Sequence, residues 1–411
     1  MEKLALTFCR NCNKKLKNIF LDLGKCPPSN SLIKNEKEKK NEKKFQLLTY
    51  VCDKCWLVQT KDVVNKEIFF NNHYPYFSST SSSWLQHAKN YVAKISKKLK
   101  LDKKNFVIEL ASNDGYLLQY FKMKKIPCLG IEPSKNTSKI AKKRGIKTLD
   151  EFFTYDLAKK IKYKPDLIIG NNVYAHVPNL NDFTKGIKTL LKTNGTITLE
   201  FPHLLNLIKY SQFDTIYHEH FSYFSLFTVK NIFKKHKLKV FFVEKLNTHG
   251  GSLRIYGCHE DDARLESKIV KNIIKEEVKF GLNKINTFKK FNLNVLKIKK
   301  EIKKFILQAK KDKKIVHAYG AAAKGSTVLN YLNITERDIH FVYDAAKSKI
   351  NKIMPGSHIK ILSPEEIKIR KPDYIVIFPW NIKNEIIKNF KFIKKWQGKF
   401  VTFIPKTKVH R

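Results

Sequence analysis

An alternation of short apolar runs with helical patterns limits what this chain can fold into more than any other feature. Residues 105–110 (NFVIEL), 128–132 (CLGIE), 166–170 (DLIIG) and 196–201 (TITLEF) read as buried strands. The first closes on Ala111-Ser112-Asn113-Asp114-Gly115-Tyr116, the second on Glu132, and the third on Asn171-Asn172-Val173-Tyr174-Ala175-His176. Strands joined through helices form right-handed βαβ units and a parallel sheet. Ligands in such sheets bind beyond the carboxyl ends of the strands, where these polar clusters fall. A second α/β series follows at 315–319, 339–343, 374–378 and 400–404. In it Gly320-Ala321-Ala322-Ala323-Lys324-Gly325-Ser326-Thr327 opens a helix after the first strand. Lys-rich residues 265–314 read as one or two amphipathic helices between the two series.

The 411 residues suffice for two or three domains, and an apolar content of 42% excludes wholesale disorder. No run of about 18 uncharged apolar residues exists, which excludes a membrane-spanning helix. The start, Met1-Glu2-Lys3-Leu4, lacks the apolar run of a signal peptide, so a cytoplasmic protein is expected. The net charge of +45 is extreme. A polyanionic partner would account for it, and so would compositional drift, because the lysines are spread along the chain rather than gathered in one arm. A phosphate-bearing ligand is compatible with both.

Four of the seven cysteines form two C-x-x-C pairs, Cys9/Cys12 and Cys52/Cys55. A reducing compartment disfavours disulfides. Two such knuckles brought together across a loop make a tetrahedral zinc site, and four protein ligands leave no open position, so the ion is structural. The charged run 34–44 between them reads as an exposed loop, and Cys26, Cys128 and Cys258 as core. Residues 73–84, His-Tyr-Pro-Tyr-Phe-Ser-Ser-Thr-Ser-Ser-Ser-Trp, set aromatic side chains beside hydroxyls, as a lid or cleft-lining loop would.

The first α/β series reads as a nucleoside-binding domain. Glu109 precedes a turn of small residues, Ala111 to Gly115, that lets backbone amides approach a ligand. Glu132 ends the next strand, where a carboxylate can accept from both ribose hydroxyls. This suits S-adenosylmethionine (SAM); NAD is the competitor, but the turn lacks G-x-G-x-x-G. Tyr217-His218-Glu219-His220 gathers four proton-handling side chains. It lacks the spacing of H-E-x-x-H and reads as a general base with its partners, in a cleft lined by Phe213, Phe221, Tyr223 and Phe224.

Five blocks together resemble the sugar-nucleotide C-methyltransferase family. They are the paired knuckles with Asp22-Leu23-Gly24 and Pro28-Ser29-Asn30 between them; Tyr74-x-Tyr76-x-Ser78; Ser112-Asn113-Asp114-Gly115; Tyr217-His218-Glu219-His220-Phe221; and Tyr319-Gly320-Ala321-Ala322-Ala323-Lys324-Gly325 with Pro355-Gly356 downstream. The resemblance covers essentially the whole chain. It implies an α/β protein with an N-terminal zinc-binding module (1–70), a central Rossmann-like SAM methyltransferase domain (71–264), and a helical connector with a second Rossmann-like domain (265–411). A nucleoside-diphosphate keto-sugar would lie in the cleft between the last two. His220 would be the general base, with Tyr76, Asn172, His176, Tyr217 and Glu219 around the reacting centre. Ser78, Glu109, Ala111, Ser112, Asn113, Asp114, Gly115, Glu132 and Asn171 are the expected cofactor residues. Lys324 and Ser326 are expected on the substrate. His249, in Thr248-His249-Gly250-Gly251-Ser252, borders the sugar or belongs to a structural turn.

A ketone acidifies its neighbouring C–H because the enolate carries charge on oxygen. A neutral imidazole taking that proton contributes about 10²- to 10⁴-fold. Tyr217, Tyr76, His176 and Asn172 are the candidate donors to the enolate oxygen, and the Glu219 carboxyl is expected to orient an imidazole through a ring N–H. The expected partners are the keto-sugar nucleotide, with no membrane and no nucleic acid, in a monomer or weak oligomer. The competing reading is a zinc-containing RNA-binding or RNA-modifying methyltransferase, which the zinc knuckles and basic charge permit.

Overall fold

A computed structural model describes residues 8–61 and 77–410. Strands β1 (Asn18–Cys26), β2 (Phe45–Val51) and β3 (Val58–Thr60) form an antiparallel sheet beside the two cysteine knuckles. The stretch expected as an exposed loop folds differently. Asn35 caps the short helix Glu36–Lys40. Beyond it, Glu42 accepts from the Gly356 main-chain N–H (2.7 Å) and pairs with His358 (3.0 Å), fastening this insert to the C-terminal sheet.

Helix Ser82–Lys98 starts at Ser81, whose hydroxyl accepts from Trp84 N–H, and buries Ala88, Tyr91, Val92 and Ile95, the i, i+3, i+4, i+7 face of an amphipathic helix. Strands β4 (Val107–Leu110), β5 (Cys128–Ile131), β6 (Thr148–Leu149), β7 (Leu167–Asn171) and β8 (Thr196–Pro202) run parallel, all but the short edge strand β6 at the positions expected. The chain then leaves this sheet. Strand β9 (Ser222–Tyr223) pairs with β3, so the segment that follows the Tyr217–His220 cluster is a strand of the zinc module's sheet. The chain returns as β10 (Leu238–Leu246) and β11 (Ser252–His259), an antiparallel hairpin the sequence reading lacked. The strand order is β10-β11-β8-β7-β4-β5-β6. The connections reverse direction at β4, a topological switch point of the kind that binds ligands.

The Lys-rich connector forms helices Lys268–Phe280 and Ile285–Lys311. The second buries Phe288, Phe291, Val295, Ile298, Ile302 and Ile306, one residue every three or four. Phe20 of β1 stacks on Phe291 (4.7 Å) and meets Phe288 edge-on (5.8 Å). The C-terminal sheet, order β14-β13-β12-β15-β16-β17, comprises β12 (Val316–Tyr319), β13 (Phe341–Tyr343), β14 (Lys360–Leu362), β15 (Tyr374–Ile377), β16 (Lys399–Thr402) and the antiparallel β17 (Lys408–His410). One hydrophobic core joins Phe20 and Leu23 of the zinc module, Phe213 and Ile216 of the middle region, the long helix, and Val328 and Leu329 beyond β12. Among the described residues no helix is long and apolar enough to cross a membrane. Burial pushes the thiols of Cys128 and Cys258 up to about 11 and that of Cys26 up to about 12, consistent with packing roles.

Candidate active site

The four sulfurs of Cys9, Cys12, Cys52 and Cys55 lie within 4.8 Å of one another, with Cys9–Cys55 at 3.4 Å and Cys12–Cys52 at 3.5 Å. Tetrahedral zinc thiolates, with Zn–S of about 2.3 Å, set sulfurs about 3.8 Å apart, so this donor set fits zinc and leaves no fifth group for chemistry.

A cavity of about 810 Å³ opens beyond the carboxyl ends of β4, β5 and β7 and continues to the C-terminal domain. Its cofactor end is built by strained turns. Ala111 (φ 55°), Asn113 (φ 51°) and, after β7, Asn172 (φ 53°) are all left-handed, a conformation that costs a non-glycine residue about 1–2 kcal/mol. The turn after β4 is pinned. Glu132 accepts from Asn113 N–H (2.9 Å) and Ser134 N–H (2.8 Å), and Asn113 Oδ1 accepts from Ser78 N–H (2.9 Å). Ala111, Asn113, Glu132, Asn171 and Ser78 line the cavity, as do Ser81, Ser83 and Trp84. Thus 77–84 is a cleft wall, while 73–76, with Tyr76, lies outside the described residues. Asn171 is buried, and both polar atoms of its amide lack a partner among the described residues. A buried carboxylate and an unspent amide at the switch point suit the hydroxyls and amine of SAM.

Glu109, Ser112, Asp114 and Gly115 stand behind that wall. Glu109 is fully buried, which raises its carboxyl well above the usual range, and the Tyr116 hydroxyl is its side-chain partner. Asp114 accepts from the Ser79 hydroxyl and faces Arg144 at 3.7 Å, and Gly115 packs under Ile146. These residues shape the turn from beneath.

The segment 213–221 carries the proton-handling groups, and three parts of the chain hold it. His220 Nδ1–H donates to the Thr215 carbonyl (2.8 Å), leaving Nε2 as the acceptor of the Tyr217 hydroxyl (2.8 Å). Burial, and then the neighbouring His176, holds His220 well below the usual histidine range. His176 Nδ1–H donates to the Glu219 main-chain carbonyl (2.8 Å), and burial lowers the ring to about 4. The neutral His176 therefore offers only an acceptor at Nε2 and does not serve as the expected enolate donor. The Glu219 carboxyl does not orient an imidazole either. Both its oxygens accept from Asn30 Nδ2 (3.0 and 2.7 Å), and Glu219 orients His176 through its main chain instead. Burial raises Glu219 to about 7 against the pull of Asn30. His218 turns away to the Phe45 carbonyl (3.2 Å). From the zinc module, Thr60 donates its hydroxyl to the His220 carbonyl (2.7 Å) and its N–H to the Phe221 carbonyl (3.0 Å). From the C-terminal domain, Trp380 Nε1–H donates to Asp214 (2.6 Å) and Thr327 to the Ile216 carbonyl (3.0 Å).

His249 (φ 52°) borders the cavity, accepting from Asn172 Nδ2 at 3.3 Å; burial, and then Lys324, lowers it to about 4. Lys324 is on the wall, 4.2 Å over the Trp380 ring, with Nζ 3.2 Å from Asn381 Oδ1. Ser326 is not: it is buried in helix Ala323–Leu332, where its hydroxyl accepts from Asn330. In the preceding turn Ala321 N–H is spent on Asp344 and Ala322 N–H on the Gly320 carbonyl, whereas the start of the helix has no side-chain cap.

The sequence reading gave no role to Asn30, His87, Glu200, Asp214 or Trp380. Glu200 was visible as an acid inside an apolar strand. Burial alone would raise it, but the His87 hydrogen bond and the Arg254 charge bring it down to about 2. Its main-chain carbonyl accepts from Asn172 N–H (2.7 Å), supporting the left-handed turn.

Family models match three consecutive stretches: "Putative zinc binding domain" over residues 9–70, "Methyltransferase domain" over 70–241, and "C-methyltransferase C-terminal domain" over 247–405. The C-methyltransferase NovU of Streptomyces niveus is 31% identical over 404 residues, covering 98% of this chain and 96% of NovU. Among solved structures, the PH0226 protein of Pyrococcus horikoshii OT3 is 15% identical over 45% of this chain and 94% of its own, with a TM-score of 0.37. Magnesium protoporphyrin IX methyltransferase (ChlM) of Synechocystis PCC 6803, solved with bound SAH, is 14% identical over 43% and 83%, with a TM-score of 0.35.

Proposed function

The chain belongs to the C-methyltransferase family and is a SAM-dependent enzyme; from that premise we propose that it methylates the carbon next to the ketone of a nucleoside-diphosphate keto-deoxysugar, with His220 as general base. One observation carries the reading: a single cavity joins the SAM end of the sheet, the His220 cluster and the helix start at Lys324. Lys324, with the uncapped helix N-terminus beside it, would meet the diphosphate. The division into 1–70, 71–264 and 265–411 belongs to the same proposal.

SAM, when bound, supplies an electrophilic methyl group. The chain's residues prepare the carbon that takes it. In the resting site the Tyr217 hydrogen occupies the His220 lone pair. A substrate ketone oxygen beside Tyr217 competes for that hydrogen. As Tyr217 turns to it, Nε2 is freed for the adjacent C–H. The proton moves from carbon to Nε2, and the electron pair left behind delocalises onto the oxygen that Tyr217 now holds. Each such donor contributes about 3–4 kcal/mol. The weak basicity of His220 is offset as it happens, because the enolate's negative charge stabilises the imidazolium. Asn172, whose Oδ1 has no partner among the described residues, is the second polar group at the reacting centre.

A second reading makes Glu219 the base, favoured because its value of about 7 lies nearer the working pH. One experiment tests both. Labelled SAM is incubated with a panel of keto-sugar nucleotides and the label is located by NMR, with exchange of the acidic C–H followed in D₂O. His220→Asn is expected to abolish exchange and transfer while SAM binding by calorimetry persists. Exchange that survives in His220→Asn and is lost in Glu219→Gln transfers the role to Glu219. A methyl group on oxygen, or no transfer to any keto-sugar nucleotide, overturns the substrate reading.

A further inference from the structure

Among the described residues, the zinc module reaches into the cavity at one point, residue 30. Asn30 lies on the cavity wall, 189 positions from Glu219 in sequence, and its single Nδ2 forks onto both oxygens of that buried carboxyl. The turn that carries it is anchored independently of Glu219. Ser31 N–H donates to the Pro28 carbonyl (3.0 Å), and Ile33 exchanges two main-chain hydrogen bonds with Ile353 of the C-terminal domain (3.0 and 2.9 Å). Asn30 is therefore placed independently of Glu219, whose main chain His176 holds, and its amide restrains the carboxyl end of that side chain.

We propose that Asn30 is a positioning residue for the methyl transfer, holding the Glu219 carboxyl against the cavity wall beside His220. This rests on the placement of the reaction at that cluster, whichever of His220 and Glu219 takes the proton. One amide N–H shared between the two oxygens stabilises the ionised carboxylate and restrains its plane. Burial works against that charge. The other titratable groups lining this cavity include His176, Tyr217, His220 and His249 from the methyltransferase region, with His87, Tyr116, Glu132 and Asp182 at its cofactor side, and Lys324 and Lys349 from the C-terminal domain. With the amide removed, the Asn30 main chain remains beside the carboxyl, and burial then dominates.

The test uses the full-length zinc-loaded protein. Glu219 ionisation is read without substrate by pH-difference infrared spectroscopy, with Glu219→Gln identifying its band. Asn30→Ala is expected to move the midpoint up by about one pH unit, and Asn30→Asp, which adds a like charge, at least as far. In transfer assays at neutral pH Asn30→Ala should lower kcat/KM about tenfold, but change it less than about twofold in a Glu219→Gln background. Zinc content and melting temperature equal to wild type show that the module has folded. An unchanged midpoint overturns the proposal, and so does an equal kinetic loss in both backgrounds. A shifted midpoint in an enzyme that accepts no keto-sugar nucleotide upholds the hold on Glu219 and refutes the substrate reading alone.

Discussion

Gly250→Ala probes the contact between the methyltransferase sheet and the C-terminal domain. Gly250 sits at φ 85°, and a Cβ built there would lie 2.3 Å from Trp380 Cη2 and 2.7 Å from Gln212 Nε2. The indole cannot swing aside freely. Its Nε1–H is bonded to Asp214 at 2.6 Å, and Lys324 covers its face at 4.2 Å. A left-handed alanine costs about 1–2 kcal/mol, and overpacking adds about 1–3 kcal/mol. The expected total is about 2–5 kcal/mol, at roughly 2–4 °C per kcal/mol for a unit of this size. Calorimetry measures it. Because the displaced indole releases Asp214 and disturbs Lys324, KM for the nucleotide-linked substrate should rise while the Kd for SAM holds. Trp380→Phe removes the colliding atoms, so the double variant should lose at least about 1 kcal/mol less than the two single losses added together. Strict additivity, or a Gly250→Ala variant as stable as wild type, would refute the steric account.

Two further predictions concern other parts of the molecule. His317 is buried with Nδ1 2.6 Å from the Tyr343 hydroxyl; burial, then His340 and Arg370, depresses it from 6.5 to about 3. A depressed histidine is neutral in the fold, so its contribution is intact above pH 6.5 and is lost as pH falls toward 3, at about 1.4 kcal/mol per unit. His317→Gln should therefore gain about 2 kcal/mol on wild type between pH 7 and pH 5 in urea unfolding read by Trp fluorescence; parallel pH dependences would contradict this. Stripping zinc, by chelator or in a Cys9→Ser/Cys52→Ser variant, should release one ion per chain. It should also raise amide exchange at Thr60 and Tyr223, since β3 pairs with β9 and the Thr60 N–H donates to the Phe221 carbonyl. Unchanged exchange at those amides after metal loss would separate the zinc site from the His220 loop.

The parts of the site that obey local rules were legible in the sequence. Strands at 107–110, 128–131, 167–171 and 196–202 announced themselves as apolar runs closed by polar turns, and the knuckles by spacing. Helix Lys268–Phe280 and helix Ile285–Lys311 were legible as periodicity, but not the stacking of Phe291 on Phe20, which depends on a contact far away in sequence. The β10–β11 hairpin was missed because Lys239, Glu244 and Lys245 dilute its apolar pattern. Inside the site the failures share one cause. A side chain's partner is set by three-dimensional placement, so nothing near position 219 revealed that its carboxyl meets Asn30, nor that a main-chain carbonyl takes the His176 proton. Ser326 follows Lys324 in a plausible phosphate turn, yet two residues along a helix rotate a side chain to the opposite face.

The loop that carries the proposed base has its own logic. A histidine whose Nδ1–H is fixed to a carbonyl has only Nε2 left to react, so whatever holds that carbonyl selects the reactive tautomer. Here the carbonyl is Thr215's, next to Asp214, which Trp380 of the C-terminal domain grips, and beside Ile216, whose carbonyl Thr327 holds. The other end of the loop is tied by Thr60 and by β9 to the zinc module. Neither anchor lies in the sheet expected to bind SAM. A lone methyltransferase domain would thus keep its cofactor turn, which Glu132 and Asn113 pin locally, and would hold the His220 loop through His176 on the Glu219 carbonyl and the Ala175 carbonyl on Phe221 N–H, without those two anchors. On the proposed reading of His220, the zinc module and the C-terminal domain therefore contribute to the catalytic apparatus. The C-terminal domain holds the neighbours of the Thr215 carbonyl that takes His220 Nδ1–H, and the zinc module holds the His220 carbonyl and the Glu219 carboxyl.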